Sequence, residues 1–92
     1  MASVRGAKGS LGRYGEPATL VLLSLMDGPK HGYGIMLDIA GHIGIEIGPG
    51  TLYTAISKLV KLGLIASLQS EARAKHYEIT PAGREEIEKF LA

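Results

Sequence analysis

Glycine and proline cut this chain into short pieces. Asp27-Gly28-Pro29, then Gly41 and Gly44, then Gly48-Pro49-Gly50, then Gly63, then Thr80-Pro81 follow one another along its 92 residues. Each is a place where a helix stops or starts: glycine terminates helices readily, and proline is accepted only in a first turn. A chain of this size, so divided, has room for one small domain built from several short elements and for no long helix or repeat array.

The segments between these marks have readable periods. Pro17 opens a first helix whose stretch Ala18 to Met26 is apolar almost all round and is therefore expected to be buried on most of its surface. A second helix is expected from Gly32 to Ile43, with Ile35, Ile39 and Ile43 on one stripe and Asp38 and His42 facing water. Ile45-Glu46-Ile47 alternates and predicts a short strand. Gly48-Pro49-Gly50 opens a third helix lasting to Leu62, with Leu52, Ile56, Leu59 and Val60 as its apolar face and Gly63 as its stop. Leu64 to Gln69 and His76 to Ile79 read as a hairpin around the basic loop 70–75. Thr80 caps a last helix that carries Ile87, Phe90 and Leu91 on one face.

Composition excludes several classes. Hydrophobic residues make up 46% and charged residues 21%, the balance of a folded chain, and there is no cysteine for a disulfide scaffold or a Cys-ligated zinc. The longest apolar run, Leu20 to Met26, is interrupted by Ser24 and is far short of the ~20 residues that span a bilayer. Residues 1–15 hold glycines and charges where a secretory signal would need an apolar core, so a cytoplasmic protein with no membrane partner is expected. Those residues read as a flexible basic arm, with the domain occupying 16–92.

The net charge of +1 conceals a pattern. Arg5, Lys8 and Arg13 stand without an acid in the arm. Residues 16–46 set Lys30 against Glu16, Asp27, Asp38 and Glu46. Residues 47–75 set Lys58, Lys61, Arg73 and Lys75 against Glu71 alone. The third helix has hydrogen-bonding residues opposite its apolar face, two of them cationic and none acidic, whereas an ordinary surface helix mixes both signs.

Helix, helix, helix and hairpin is the order of a winged helix. The fold class expected is α+β and mainly helical: a winged helix-turn-helix with a three-helix core, a two-stranded wing and a short C-terminal helix. Each part suits double-stranded DNA. A helix fits the major groove and presents its first residues to base edges, and a basic wing suits the flanking backbone. The candidate DNA-binding residues are Lys30, Tyr33, Gly50, Thr51, Tyr53, Thr54, Ser57, Lys58, Arg73 and Lys75. Tyr33 and Tyr53 either contact DNA or pack their rings and leave the hydroxyl for a nearby polar group.

The stretches Gly28-Pro29-Lys30-His31-Gly32-Tyr33, Pro49-Gly50-Thr51-Leu52-Tyr53 and Tyr77-Glu78-Ile79-Thr80-Pro81-Ala82-Gly83, in that order, carry a resemblance over roughly residues 17–83. With Leu22 to Asp27 and Gly63-Leu64-Ile65 they make the chain resemble the PadR-like family of winged-helix transcriptional regulators. The resemblance implies a repressor that binds a partly palindromic operator as a homodimer, often releasing it to a small-molecule effector. It also implies that Pro49 to Tyr53 begin the recognition helix. The chain departs from the family pattern at Gly48, where a serine or threonine would cap that helix, and at Thr54, where a proline is common.

No chemistry of catalysis or metal binding is visible. His31, His42 and His76 lie on three separate elements without an i,i+4 pair, and neither a nucleophile motif nor a phosphate-binding loop occurs. No cofactor and no enzyme activity are expected. The competing class is a winged helix used for protein–protein interaction or assembly.

Overall fold

The computed structural model describes residues 16–68 and 75–91. The expected basic arm, and Arg73 with most of the wing loop, lie outside the described residues.

Helix α1 (Pro17–Ser24) starts with proline in its first turn and tightens into a 3₁₀ turn at Leu25–Asp27. Leu20, Val21, Leu22 and Leu25 are all buried, so this helix is the centre of the core, as its all-round apolar sequence requires. Gly28, at φ 143°, turns the chain out of the helix. Pro29 leads into a two-residue strand, β1 (Lys30–His31), and then α2 (Gly32–Asp38), which ends in a five-residue π-turn at Ile39–Ile43. Helix α3 (Pro49–Lys61) packs across α1 and α2. Strands β2 (Ile65–Leu68) and β3 (His76–Ile79) follow, and α4 (Pro81–Leu91) closes the fold against α1.

The sheet is antiparallel in the order β1-β3-β2. Lys30 stands opposite Tyr77 and His31 opposite His76 on one side of β3, while Ile65 stands opposite Ile79 and Leu68 opposite His76 on the other. The expected wing is thus present with a third strand added, and that strand is not the one the sequence suggested. Ile45-Glu46-Ile47 forms no ladder, and the place beside β3 is taken by Lys30–His31. Its alternation instead marks a loop that turns Ile45 and Ile47 towards the core and Glu46 outwards.

Three further expectations are corrected. Ile43 does not continue the stripe of Ile35 and Ile39: the π-turn, closed by the Gly44 N–H on the Ile39 carbonyl at 2.9 Å, widens the helix and rotates Ile43 outwards. Val60 is exposed on α3, and Ala55 takes its place beside Leu52, Ile56 and Leu59. Leu91 is exposed, leaving Ile87 as the buried anchor of α4 with Phe90 packed beside it.

The joint between α3, the sheet and α4 is held by backbone caps. Gly63, at φ 75°, donates to the Val60 carbonyl and Leu64 to the Leu59 carbonyl, both at 3.0 Å, which is the Schellman closure that only a left-handed residue permits cheaply. Thr80 then performs three tasks. Its N–H donates to the Leu64 carbonyl at 3.1 Å, its hydroxyl donates to the Gly63 carbonyl at 2.7 Å, and the same oxygen accepts the Gly83 N–H at 3.1 Å as the N-cap of α4. Gly83 is buried so closely that a Cβ there would press into the Leu64 carbonyl and lie 2.8 Å from Ile79 Cγ1.

Candidate nucleic-acid interface

Helix α3 buries Leu52, Ala55, Ile56 and Leu59 and thereby turns Thr51, Tyr53, Thr54, Ser57, Lys58 and Lys61 outwards. Its entry follows from Gly48-Pro49-Gly50. Gly48 is the N-cap and supplies no side-chain acceptor, so the first-turn N–H groups are not satisfied by a capping side chain. A Cβ at Gly50 would meet nothing within 4 Å, which leaves the helix start open for close approach by another molecule. Among the described residues neither Lys58 nor Lys61 pairs with an acid.

Two surface grooves flank this helix. One runs over Tyr53, Thr54, Ser57 and Lys58 towards Lys61 and Leu62. The other lies between the start of α1, at Glu16 to Ala18, and Thr51, Thr54 and Lys58. A third depression joins the helix to the base of the wing: Tyr33, Tyr53, Lys75 and Tyr77 line it together with His31 and Gly32. The fold therefore gathers Gly50, Thr51, Tyr53, Thr54, Ser57 and Lys58 on one face and brings Tyr33 and Lys75 alongside. Tyr33 is 62% exposed and Tyr53 47%.

Lys30 has other commitments. Its ammonium donates to the Ser24 carbonyl and to Asp27, and it stands 3.9 Å from Asp38. It holds the Asp27 carboxyl below the ordinary carboxylate range. Asp38 does not face water as its place on the helix suggested. It accepts the Ser24 hydroxyl at 2.7 Å and the His42 Nδ1–H, in a cluster under which Ser24 is only 3% exposed.

Sequence reasoning separated the three histidines, yet the sheet register sets His31 opposite His76 and brings their rings together, centroids 3.7 Å apart and planes tilted by 45°. The pairing of a two-residue strand was the missing information. Among the described residues no group of three or more His, Asp or Glu is arranged to hold a metal ion, and no helix is long and apolar enough to cross a membrane.

The family model described as "Transcriptional regulator PadR-like family" matches residues 21–89. A transcriptional regulator from Clostridium thermocellum is similar at 32% identity and a TM-score of 0.76, over 84% of this chain and 78% of that one. The Bacillus subtilis PadR in complex with operator DNA shares the fold at a TM-score of 0.73 and 23% identity, over 85% of this chain and 48% of that one. An uncharacterized 37.1 kDa protein in transposon TN4556 of Streptomyces fradiae is 40% identical over 77 residues, covering 84% of this chain and 22% of that protein. The chain thus spans about a fifth of the length of that curated relative.

Proposed function

The chain belongs to the transcriptional regulator PadR-like family, and from that premise we propose that it binds double-stranded DNA through the exposed face of α3 and the adjoining wing. The observation that carries this reading is the face itself: an acid-free row of hydroxyls and lysines, on a helix that is entered through Gly48-Pro49-Gly50 without a capping side chain. The operator complex of the Bacillus subtilis relative, which has the same fold, supports it.

In this reading the start of α3 enters the major groove. Thr51 and Thr54 meet base edges, Ser57 and Lys58 follow the phosphate strand, and Gly50 lets backbone N–H groups approach a phosphate. Tyr33 and Lys75, with Arg73, contact the flanking backbone. Lys30 braces the turn before α2 instead of touching DNA, since its ammonium already serves Ser24 and Asp27.

The protein acts in the cytoplasm as a homodimeric repressor on a partly palindromic operator, its two recognition helices about 34 Å apart on one face of the duplex, and a small-molecule effector releases it. The test is fluorescence anisotropy with a labelled duplex selected by the protein from a randomised pool, titrated at several salt concentrations. Binding that weakens steeply with salt is expected. No binding at low salt, where the phosphate attraction is strongest, would assign the domain to protein–protein interaction instead.

A further inference from the structure

Gly32, the first residue of α2, is buried although it has no side chain. What covers it is Tyr53 of α3: a Cβ built on Gly32 would lie 2.8 Å from both Cε1 and Cζ of that ring, with the Tyr53 hydroxyl closer still. The φ of Gly32 is not positive, so the backbone does not demand glycine there. The occupied space does.

Tyr53 thereby touches more of the fold than α3. Its ring lines the same depression as Lys75 and Tyr77 at the root of the wing. Tyr77 is buried, stands opposite Lys30 in the sheet, and has its hydroxyl pushed above the ordinary phenol range by burial and, secondarily, by the nearness of Tyr53. A tyrosine serving only to reach a phosphate would hold its hydroxyl clear of the fold, whereas here the hydroxyl is the first atom that a Cβ on Gly32 would meet.

We propose that Tyr53 is a positioning residue whose ring, seated in the notch left by Gly32, sets how α3 presents Thr54, Ser57 and Lys58 relative to the wing root at Lys75 and Tyr77. This deepens, and rests on, the DNA-binding reading. The ring, carried by the recognition helix, sits against the start of α2 and lines the depression that reaches Tyr77 of β3. Moving it re-aims the helix against the wing without removing a DNA contact from either.

Gly32→Ala is a suitable probe. The atoms its methyl displaces are the far end of a side chain that can swing, and alanine is at home in a helical first turn, so the domain still folds. The full chain is compared as wild type, Gly32→Ala, Tyr53→Ala, Tyr53→Phe and the Gly32→Ala/Tyr53→Ala double variant, using the duplex selected by the wild type and an unselected duplex of equal length. Gly32→Ala and Tyr53→Ala are each expected to weaken the selected duplex on the order of tenfold with an unchanged salt slope, and the double variant to bind no worse than either single one. Tyr53→Phe, which keeps the ring, is expected to stay within about threefold of wild type. Unchanged binding in Gly32→Ala, losses that multiply in the double variant, or a Tyr53→Phe loss as large as Tyr53→Ala would each overturn the proposal. Amide chemical shifts of the free proteins separate this from a failure of DNA binding itself. Gly32→Ala should move the signals of Lys75 and Tyr77, and if it leaves them in place the positioning role is wrong whether or not the chain binds DNA.

Discussion

The Ser24 hydroxyl donates a 2.7 Å hydrogen bond to Oδ2 of Asp38, tying the end of α1 to the end of α2. Ser24 is the buried polar side chain of the described core, and its partner is a carboxylate, which makes the bond stronger than one between neutral groups. Ser24→Ala leaves Asp38 with less compensation for its partial burial. A loss of about 2 kcal/mol in unfolding free energy is expected from urea titration, and a loss below a few tenths would show that water replaces the hydroxyl without cost.

Acid should weaken the same joint. Partial burial acts to raise the Asp38 pKa, but the hydrogen bonds from Ser24 and His42 and the charge of Lys30 outweigh it, so the carboxyl titrates below its ordinary 3.8. A group whose pKa is depressed by folding contributes stability above its unfolded value, and that contribution is lost as pH falls through the folded value. Thermal midpoints followed downwards from pH 6 should therefore drop below pH 3.8 more steeply for wild type than for Asp38→Asn. Parallel curves would mean that Asp38 carries none of the acid sensitivity.

Where the sequence could be read and where it could not has one physical division. Helix starts and stops at Pro17, Pro49, Gly63 and Thr80-Pro81 were legible because caps are local: they depend on the residue and its neighbours within a turn. The outward face of α3 was legible for the same reason, since the spacing of Leu52, Ile56 and Leu59 decides it. Strand β1 was not, because two residues cannot show alternation, and Lys30–His31 become a strand only by lying against Tyr77 and His76. The approach of His31 to His76 follows from that distant pairing, the partial burial of Asp38 from its meeting with Ser24 across α1 and α2, and the commitment of Lys30 from the turn that brings it back to Ser24 and Asp27.

The cap of α4 offers a graded test. Thr80→Ala removes the acceptor for the Gly83 N–H and the donor to the Gly63 carbonyl, and should cost about 1 kcal/mol. Gly83→Ala meets the Leu64 backbone, which cannot swing aside, and should cost about 3 kcal/mol. Denaturant midpoints in the order wild type, Thr80→Ala, Gly83→Ala check the pair, and the reverse order of the two variants would contradict the packing described.

On the proposed interface, Lys58→Ala should weaken all duplexes alike and reduce the salt slope by about 0.9, one phosphate contact. Thr54→Ala should leave the slope unchanged and relax the preference at one base position by about 1–3 kcal/mol. Reselection from a randomised pool with each variant distinguishes them. An unchanged slope for Lys58→Ala removes its phosphate role.

The central claim, that the outward face of α3 and the wing root form the DNA surface, is tested most directly by following backbone amide signals while selected duplex DNA is added to the full chain. The largest shifts are expected at Gly50, Thr51, Thr54, Ser57, Lys58 and Lys75, with α4 little changed. Shifts concentrated on α4 or on the outer side of α2, with those residues unmoved, would contradict it.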